Sequence, residues 1–235
     1  MFIVFEDRPS DSPFVERVWR SHSERADEFC SVAACHWEIV VSKHEGKSSL
    51  IVRGPETKAT TAHCPADGEW FAIRFKLGTY MPLFPPGDLR DLNDVVLPNA
   101  GGGSFWLNGS VWEYPNFENA ETFVNRLVKR GLIAADPLIT ATTDGVTRTV
   151  SSRTTQRRFL QIAGMSRSAI AQIERARRST RLLKLGRSIL DVVYDAGYYD
   201  QAHLTRSLKH FVGQTPAQII RQEHQLSFLY NTDTI

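Results

Sequence analysis

The most chemically distinctive stretch of this sequence is strongly basic. From Arg148 to Arg187 it holds eleven lysine or arginine residues and a single acid, Glu174, so these 40 residues carry a formal charge of +10. Side chains of one sign repel one another unless a polyanion neutralises them, and nucleic acid is the obvious polyanion. A basic face that is only solvated is the alternative. The residue types therefore predict a nucleic-acid-binding surface.

Helical periodicity positions these basic side chains. Residues 153–161 predict a short helix that Phe159 anchors in a core, and residues 166–185 predict a long amphipathic helix whose polar face is basic. Two shorter helices follow, over 188–196 and about 200–211, with a glycine between them. Two short helices around a glycine turn form a helix-turn-helix.

The segment between Ser188 and Pro216 carries a more specific pattern. Its features are Ser188-Ile189 and Asp200-Gln201 at two helix starts, the turn Ala196-Gly197-Tyr198, and the closing Gly213-Gln214-Thr215-Pro216. This pattern resembles the second helix-turn-helix of AraC/XylS-type transcription regulators. The resemblance covers about residues 136–222 and implies an all-α, DNA-binding domain in which a long linker helix joins two helix-turn-helix units.

The resemblance also implies which side chains face DNA. By position in the family's motif they are Arg153, Gln156 and Arg157 on the first recognition helix and Gln201, Thr205 and Arg206 on the second. Arginine can bind guanine bidentately, glutamine can pair with adenine, and threonine can touch a thymine methyl group. Two alternatives are that Arg206 pairs with Asp200 and that Gln201 is only solvated. The side chains assigned to phosphate or to packing are Arg158, Arg167, Arg177, Arg178 and Arg181.

The linker helix has a suitable length for this function. A helix over residues 166–185 would be about 30 Å long, close to the roughly 34 Å between successive major-groove segments on one face of B-DNA. One feature departs from the family pattern, because residues 142–150 contain a central glycine and β-branched residues where a full helix is expected. This departure predicts a shortened first unit.

The first half of the chain has the pattern of β-structure. Residues 34–42 and 48–53 predict one hairpin, residues 70–75 predict a strand, and residues 104–114 predict a second hairpin around Asn108-Gly109. Prolines and glycines predict loops over residues 78–103.

A helix after Pro115 is expected to close this half, with Asn116 or Asn119 as its cap and Gly131 at its end. The fold class is therefore α+β. Residues 1–135 form a small antiparallel β barrel or sandwich, cupin-like, and residues 136–235 form the helix-turn-helix domain. The first part carries 14 basic and 18 acidic residues and the second 14 and 8, so their electrostatic characters are opposite. The resemblance implies that the β domain binds a small-molecule effector or forms a homodimer.

Two His-Cys pairs raise the question of a metal. Cys35-His36 and His63-Cys64 place adjacent ligands that rarely fit one ion, so no metal and no cofactor are expected. The alternative hypothesis is that the chain is a cupin-like metal-binding protein or enzyme with an incidental helical tail. The preferred hypothesis is a transcription regulator that is not an enzyme. Four tryptophans could line an effector pocket or pack in a core, namely Trp37, Trp70, Trp106 and Trp112.

Composition indicates the compartment. Three cysteines, Cys30, Cys35 and Cys64, are too few for a disulfide framework, which fits the cytoplasm. The amino terminus lacks the basic start of a secretory signal, and no apolar run approaches the roughly 20 residues that cross a bilayer, so no membrane partner is expected.

Overall fold

The structure is a computed structural model that describes residues 2–91, 94–143, 152–222 and 226. Its strands are β1 (Ile3–Pro9), β2 (Val15–Ser23), β3 (Asp27–Ser31), β4 (Glu38–His44), β5 (Lys47–Arg53), β6 (Thr60–Cys64), β7 (Glu69–Phe75), β8 (Thr79–Tyr80), β9 (Val95–Leu97), β10 (Asn99–Gly101), β11 (Ser104–Leu107), β12 (Ser110–Glu113) and β13 (Ala134–Ala135). Its helices are α1 (Ala120–Lys129), α2 (Pro137–Thr143), α3 (Ser152–Ile162), α4 (Arg167–Lys184), α5 (Ile189–Asp195), α6 (Gln201–Val212) and α7 (Pro216–Arg221).

A six-stranded antiparallel sheet organises the first half, in the order β1-β2-β7-β4-β5-β9. Both predicted hairpins are confirmed, β4 with β5 and β11 with β12. In the second hairpin Asn108 and Gly109 have φ of 49° and 70°, the left-handed pair that a two-residue turn requires.

Alternation of side chains along the strands gives this sheet two different faces. One face packs against α1 and the β11–β12 hairpin in a core that includes Ile39 and Phe75. The other face carries Trp19, Val40 and Arg74 and looks across a cavity toward the ribbon of β3 paired with β6.

One sequence prediction in this half needs correction, and two are made more specific. The described sheets are open, so of the predicted barrel or sandwich the β-rich half is confirmed and a closed barrel is not. Loops dominate the described part of residues 78–103 as predicted, and the short strands β8, β9 and β10 lie among them. Asn119 begins α1 without a side-chain cap, since its side chain accepts from the Asn116 N–H instead.

The predicted helices of the second half are confirmed as α3, α4, α5 and α6. A short helix, α2, precedes them and packs against α3. Most of the segment predicted to be a poor helix, residues 144–150, lies outside the described residues. In the part of the chain that the structure describes, no helix combines the length and the apolar character needed to span a bilayer.

The two halves share their hydrophobic cores. Val32 and Cys35 of the β half pack among the helices α4, α5 and α6, and Leu77 packs beside Phe159 of α3. At Gly164, after α3, a Cβ would stand 2.8 Å from the Pro86 carbonyl oxygen, so only glycine permits this close approach.

Candidate nucleic-acid interface and an adjoining cavity

Helices α5 and α6 form a complete helix-turn-helix. The Ser188 hydroxyl accepts from the Asp191 N–H at 3.1 Å and begins α5, and the Asp200 carboxylate accepts from the His203 N–H at 2.6 Å and begins α6. Gly197 turns the chain between them with φ at 70°. These contacts confirm the helix starts and the break that the sequence predicts.

Tyr198 connects the turn to α6 and α4. Its ring is 6% exposed, and its hydroxyl lies 3.1 Å from the Ser207 hydroxyl of α6. The Arg175 guanidinium of α4 stands 4.4 Å from the ring centroid, within cation–π distance. The turn, α6 and α4 are thereby held in one arrangement, which fixes the direction in which α6 points.

The predicted base-reading side chains of α6 lie on its accessible side. Gln201 and Arg206 are exposed and Thr205 is half-buried. Thr205 Oγ1 donates to the Gln201 carbonyl at 2.8 Å, so its methyl group, not its hydroxyl proton, is left for an outside partner. Arg206 forms no ion pair with any residue that the structure describes, so the alternative pair with Asp200 is not formed.

The predicted side chains of α3 share one face. Arg153, Gln156 and Arg157 are exposed, and spacings of three and four residues place them together on a helix. The next arginine, Arg158, differs because its Nε lies 2.8 Å from the buried Asp136 carboxylate. Arg158 therefore holds α3 against the start of α2, although its side chain is still 51% exposed.

The linker helix α4 presents a basic outer surface. Arg178 and Arg181 are exposed, whereas a stripe led by Ile173 and Leu183 is buried. Arg177 lies 3.8 Å from Glu174 on the same helix, so that charge is partly balanced internally. Arg178 and Arg181 therefore leave two positive charges on the outer surface of α4.

The β half contacts α6 at its C-terminal end. The Ala59 N–H donates to the His210 carbonyl and the Ala33 N–H to the Phe211 carbonyl, both at 2.8 Å. The last carbonyls of a helix have no partner within the helix. The β half supplies partners for two of these carbonyls in α6.

A second contact joins the β half to α4. Cys35 Sγ lies 3.5 Å from Glu174 Oε1, and His36 Nε2 lies 3.4 Å from Glu16 Oε2. Burial lowers the pKa of His36, with the Glu16 charge opposing, and burial raises the pKa of the Cys35 thiol. The imidazole and the thiol are therefore both uncharged near neutral pH.

The cavity beside these contacts has a volume of about 240 Å³ and lies between the six-stranded sheet and the β3–β6 ribbon. Aromatic rings line it, those of Phe5, Trp19, Phe29 and Trp70. It also holds charged groups, of which Arg74 and Glu38 are buried and Arg53 and Asp94 are half-buried. The Arg74 guanidinium donates to Glu38 at 2.7 Å, and Arg53 donates to Asp94 at 3.2 Å.

Glu56 is the unusual acid of this cavity. It is 5% exposed and accepts a hydrogen bond from the Ser31 hydroxyl at 3.0 Å. Burial raises its pKa to about 7, although the Arg53 charge and the Ser31 hydroxyl act in the opposite direction. The carboxyl group is thus poised between its neutral and charged forms at neutral pH.

Sequence reasoning located only part of this cavity. Of the four candidate tryptophans, Trp70 lines it, Trp37 and Trp112 lie in the main core, and Trp106 is 46% exposed. Trp19 was missed, as was Glu56. The alternation along the strands could have indicated this cavity, because every second residue, polar or aromatic, lies on the face opposite the apolar core. Among the described residues, no group of three His, Cys, Asp or Glu side chains is arranged to hold a metal ion.

Helix-turn-helix geometry, exposed arginine and glutamine side chains and a basic connecting helix together define a DNA-binding protein. Residues 148–222, about a third of the chain, match the family model described as "Helix-turn-helix domain". This domain is of the AraC type, and the chain is a DNA-binding transcription regulator that carries it.

Two solved structures resemble the whole chain at low identity. One is the crystal structure of an apo lysine-to-alanine variant of ToxT from Vibrio cholerae, at 11% identity and a TM-score of 0.41, covering 91% of this chain and 99% of that chain. The other is a structure of ToxT from Vibrio cholerae at 13% identity and a TM-score of 0.38, covering 92% and 98%. None of the curated protein sequences matches the chain.

Proposed function

We propose that this regulator reads two successive major-groove segments of one duplex, with α3 in one segment and α6 in the other. The observation that carries the proposal is that the predicted reading side chains are exposed, apart from the half-buried Thr205, and form no ion pair with the described residues. The 18 residues of α4 span about 27 Å, comparable to the roughly 34 Å between groove segments.

In this arrangement the side chains divide into two roles. Arg153, Arg157 and Arg206 bind guanine, Gln156 and Gln201 bind adenine, and the Thr205 methyl group contacts thymine, since these pairings follow from the groups that each base presents in the major groove. Arg178 and Arg181 contact phosphate and so determine how strongly binding depends on salt.

The β half controls this DNA-binding unit through a small-molecule effector. Its cavity is lined by Ser31 and Glu56, and the nearby Ala33 and Ala59 donate to the last turn of α6. An effector that rearranges the cavity wall therefore acts on the hydrogen bonds that hold a recognition helix. DNA binding itself does not depend on the effector cavity.

Two arginine variants test the DNA-reading roles. Arg206→Ala is expected to lower affinity for a selected genomic duplex by about 1–3 kcal/mol, roughly 5- to 150-fold, with little loss on random DNA. Arg181→Ala is the matched control and should weaken both duplexes alike and reduce the salt slope by about one. Equal loss on both duplexes for Arg206→Ala would make Arg206 a phosphate contact and contradict the assignment.

We further propose that the domain boundary falls between residues 135 and 136, after β13 and before α2. The β half forms a homodimer, which light scattering of the full chain measures. A DNA-binding role supports a cytoplasmic location. The protein is a regulator without catalytic activity of its own, and neither metal nor cofactor is needed for its DNA binding.

A further inference from the structure

The charged groups of the cavity do not balance. Glu38 is paired with Arg74 at 2.7 Å and Arg53 with Asp94 at 3.2 Å. His63 at the rim faces Glu28 at 3.3 Å. Glu56 accepts a hydrogen bond from the Ser31 hydroxyl. It is the one acid lining the cavity that has no cation within ion-pair distance among the described residues. One negative charge is therefore left over when Glu56 ionises.

A buried carboxylate without a cation is unfavourable, so it either takes up a proton or acquires a positive partner. The two guanidinium groups that could receive an anionic ligand already bind carboxylates. An anion would place a further negative charge beside Glu56, whereas a cation would offset the charge of Glu56. The charge pattern therefore favours a positively charged ligand.

The size and walls of the cavity limit that ligand further. Its volume of about 240 Å³ exceeds the roughly 150 Å³ of a cavity that accommodates benzene, so one aromatic ring with a short side chain fits. Trp19, Trp70, Phe5 and Phe29 supply apolar surface, and such rings also attract a cation that lies over their faces.

We propose that this cavity binds a small primary amine with an aromatic or similarly apolar body, whose ammonium group pairs with the Glu56 carboxylate while its body packs against the aromatic walls. This inference rests on the proposed role of the cavity as the effector site. It adds the chemical class of the effector and names Glu56 as the residue that selects it.

Matched probes test the ligand class on the full chain at pH 8. The amines are phenethylamine, tyramine and benzylamine, and the controls are the neutral 2-phenylethanol and the anionic 3-phenylpropionate. Binding is followed by the thermal midpoint and by tryptophan fluorescence, since Trp19 and Trp70 line the cavity. The amines are expected to bind and to raise the midpoint, and the two controls are expected not to do so.

Two variants test the anchor. Glu56→Gln is expected to lower amine affinity at least tenfold, whereas Glu113→Gln, an exposed acid outside the cavity, should leave it unchanged. The inference is overturned if 3-phenylpropionate binds in preference to the amines, if Glu56→Gln binds amines like the wild type, or if none of the three amines binds.

A duplex-binding assay in the same buffer separates this inference from the proposed function. Specific DNA binding that persists while all amines fail removes the ligand class and leaves the DNA-reading proposal intact. If duplex binding shows no base specificity that depends on the α3 and α6 side chains, the DNA-reading proposal is wrong, whether or not the amines bind. Amines that bind through Glu56 and change duplex affinity support both.

Discussion

Glu56→Gln also tests whether the cavity wall carries a neutral carboxyl group when no ligand is bound. Burial raises the pKa of Glu56 to about 7, against an ordinary value of 4.5. Between these two values the folded chain holds a proton that the unfolded chain releases. The free energy of unfolding therefore receives its full contribution from this group below pH 4.5 and loses it as the pH rises through 7.

The size of the effect follows from the difference between the two pKa values. Each pH unit in that interval corresponds to about 1.36 kcal/mol, so the whole interval amounts to about 3 kcal/mol, most of it between pH 5 and pH 8. Glutamine does not titrate, so in the variant position 56 adds no pH dependence to the free energy of unfolding. Relative to the variant, the wild type should lose stability as the pH rises.

Urea unfolding of both chains, followed by tryptophan fluorescence at pH 5, 6, 7 and 8, measures this difference. Comparing the two chains at each pH cancels the fixed cost of placing an amide in the cavity, together with the titration of groups common to both. Curves that stay parallel from pH 5 to pH 8 would mean that Glu56 is already ionised in the folded chain. A carboxylate that is stable in the folded chain would already be balanced by another group, and Glu56 would then not require a cationic ligand.

Two other predictions concern the packing of each half. Phe159→Ala removes a ring of α3 that is 2% exposed and should lower the free energy of unfolding by about 3–5 kcal/mol. It should also shrink the DNA footprint to the segment that α6 contacts. As a control, Leu160→Ala at the exposed neighbouring position should lower the free energy of unfolding by less than about 0.5 kcal/mol. The Arg8 hydrogen bond lowers the pKa of Glu121 to about 2. Glu121→Gln should therefore lower the free energy of unfolding by about 1 kcal/mol at pH 7, a modest value because both side chains are about a third exposed. In the same urea assay this loss should fade as the pH drops from 4.5 through 2.

Sequence patterns predicted the elements that are stabilised by neighbours in the chain. The Asn108-Gly109 hairpin and the helix caps at Ser188 and Asp200 depend on contacts within a few residues, and all three are confirmed. Strand β9 was missed because its pairing joins Leu97 to Leu50, a partner far away in sequence. The choice between the two predicted architectures, barrel or sandwich, also depends on such distant pairings, which no local pattern encodes.

The two candidate sites differed in the same way. Exposed side chains at fixed helical spacings, such as Gln201 and Arg206, can be placed once the helix and its family motif are recognised. The cavity is assembled from separate strands and a loop, and Trp19, Glu56 and Arg74 have no common spacing in the sequence. Their proximity follows only from the register of the strands.

The recognition helices share a further feature, which is that each ends against the β half. The end of α6 is held by the N–H groups of Ala33 and Ala59, and after α3 the Gly164 carbonyl accepts from Arg90 at 3.3 Å. The predicted reading residues lie in the first part of each helix, away from these contacts. The spacing of the two reading faces therefore depends on the β half as well as on α4. Because Ala33 and Ala59 adjoin residues that line the cavity, an effector bound there is expected to act on the end of α6 and so on the spacing of the two reading faces.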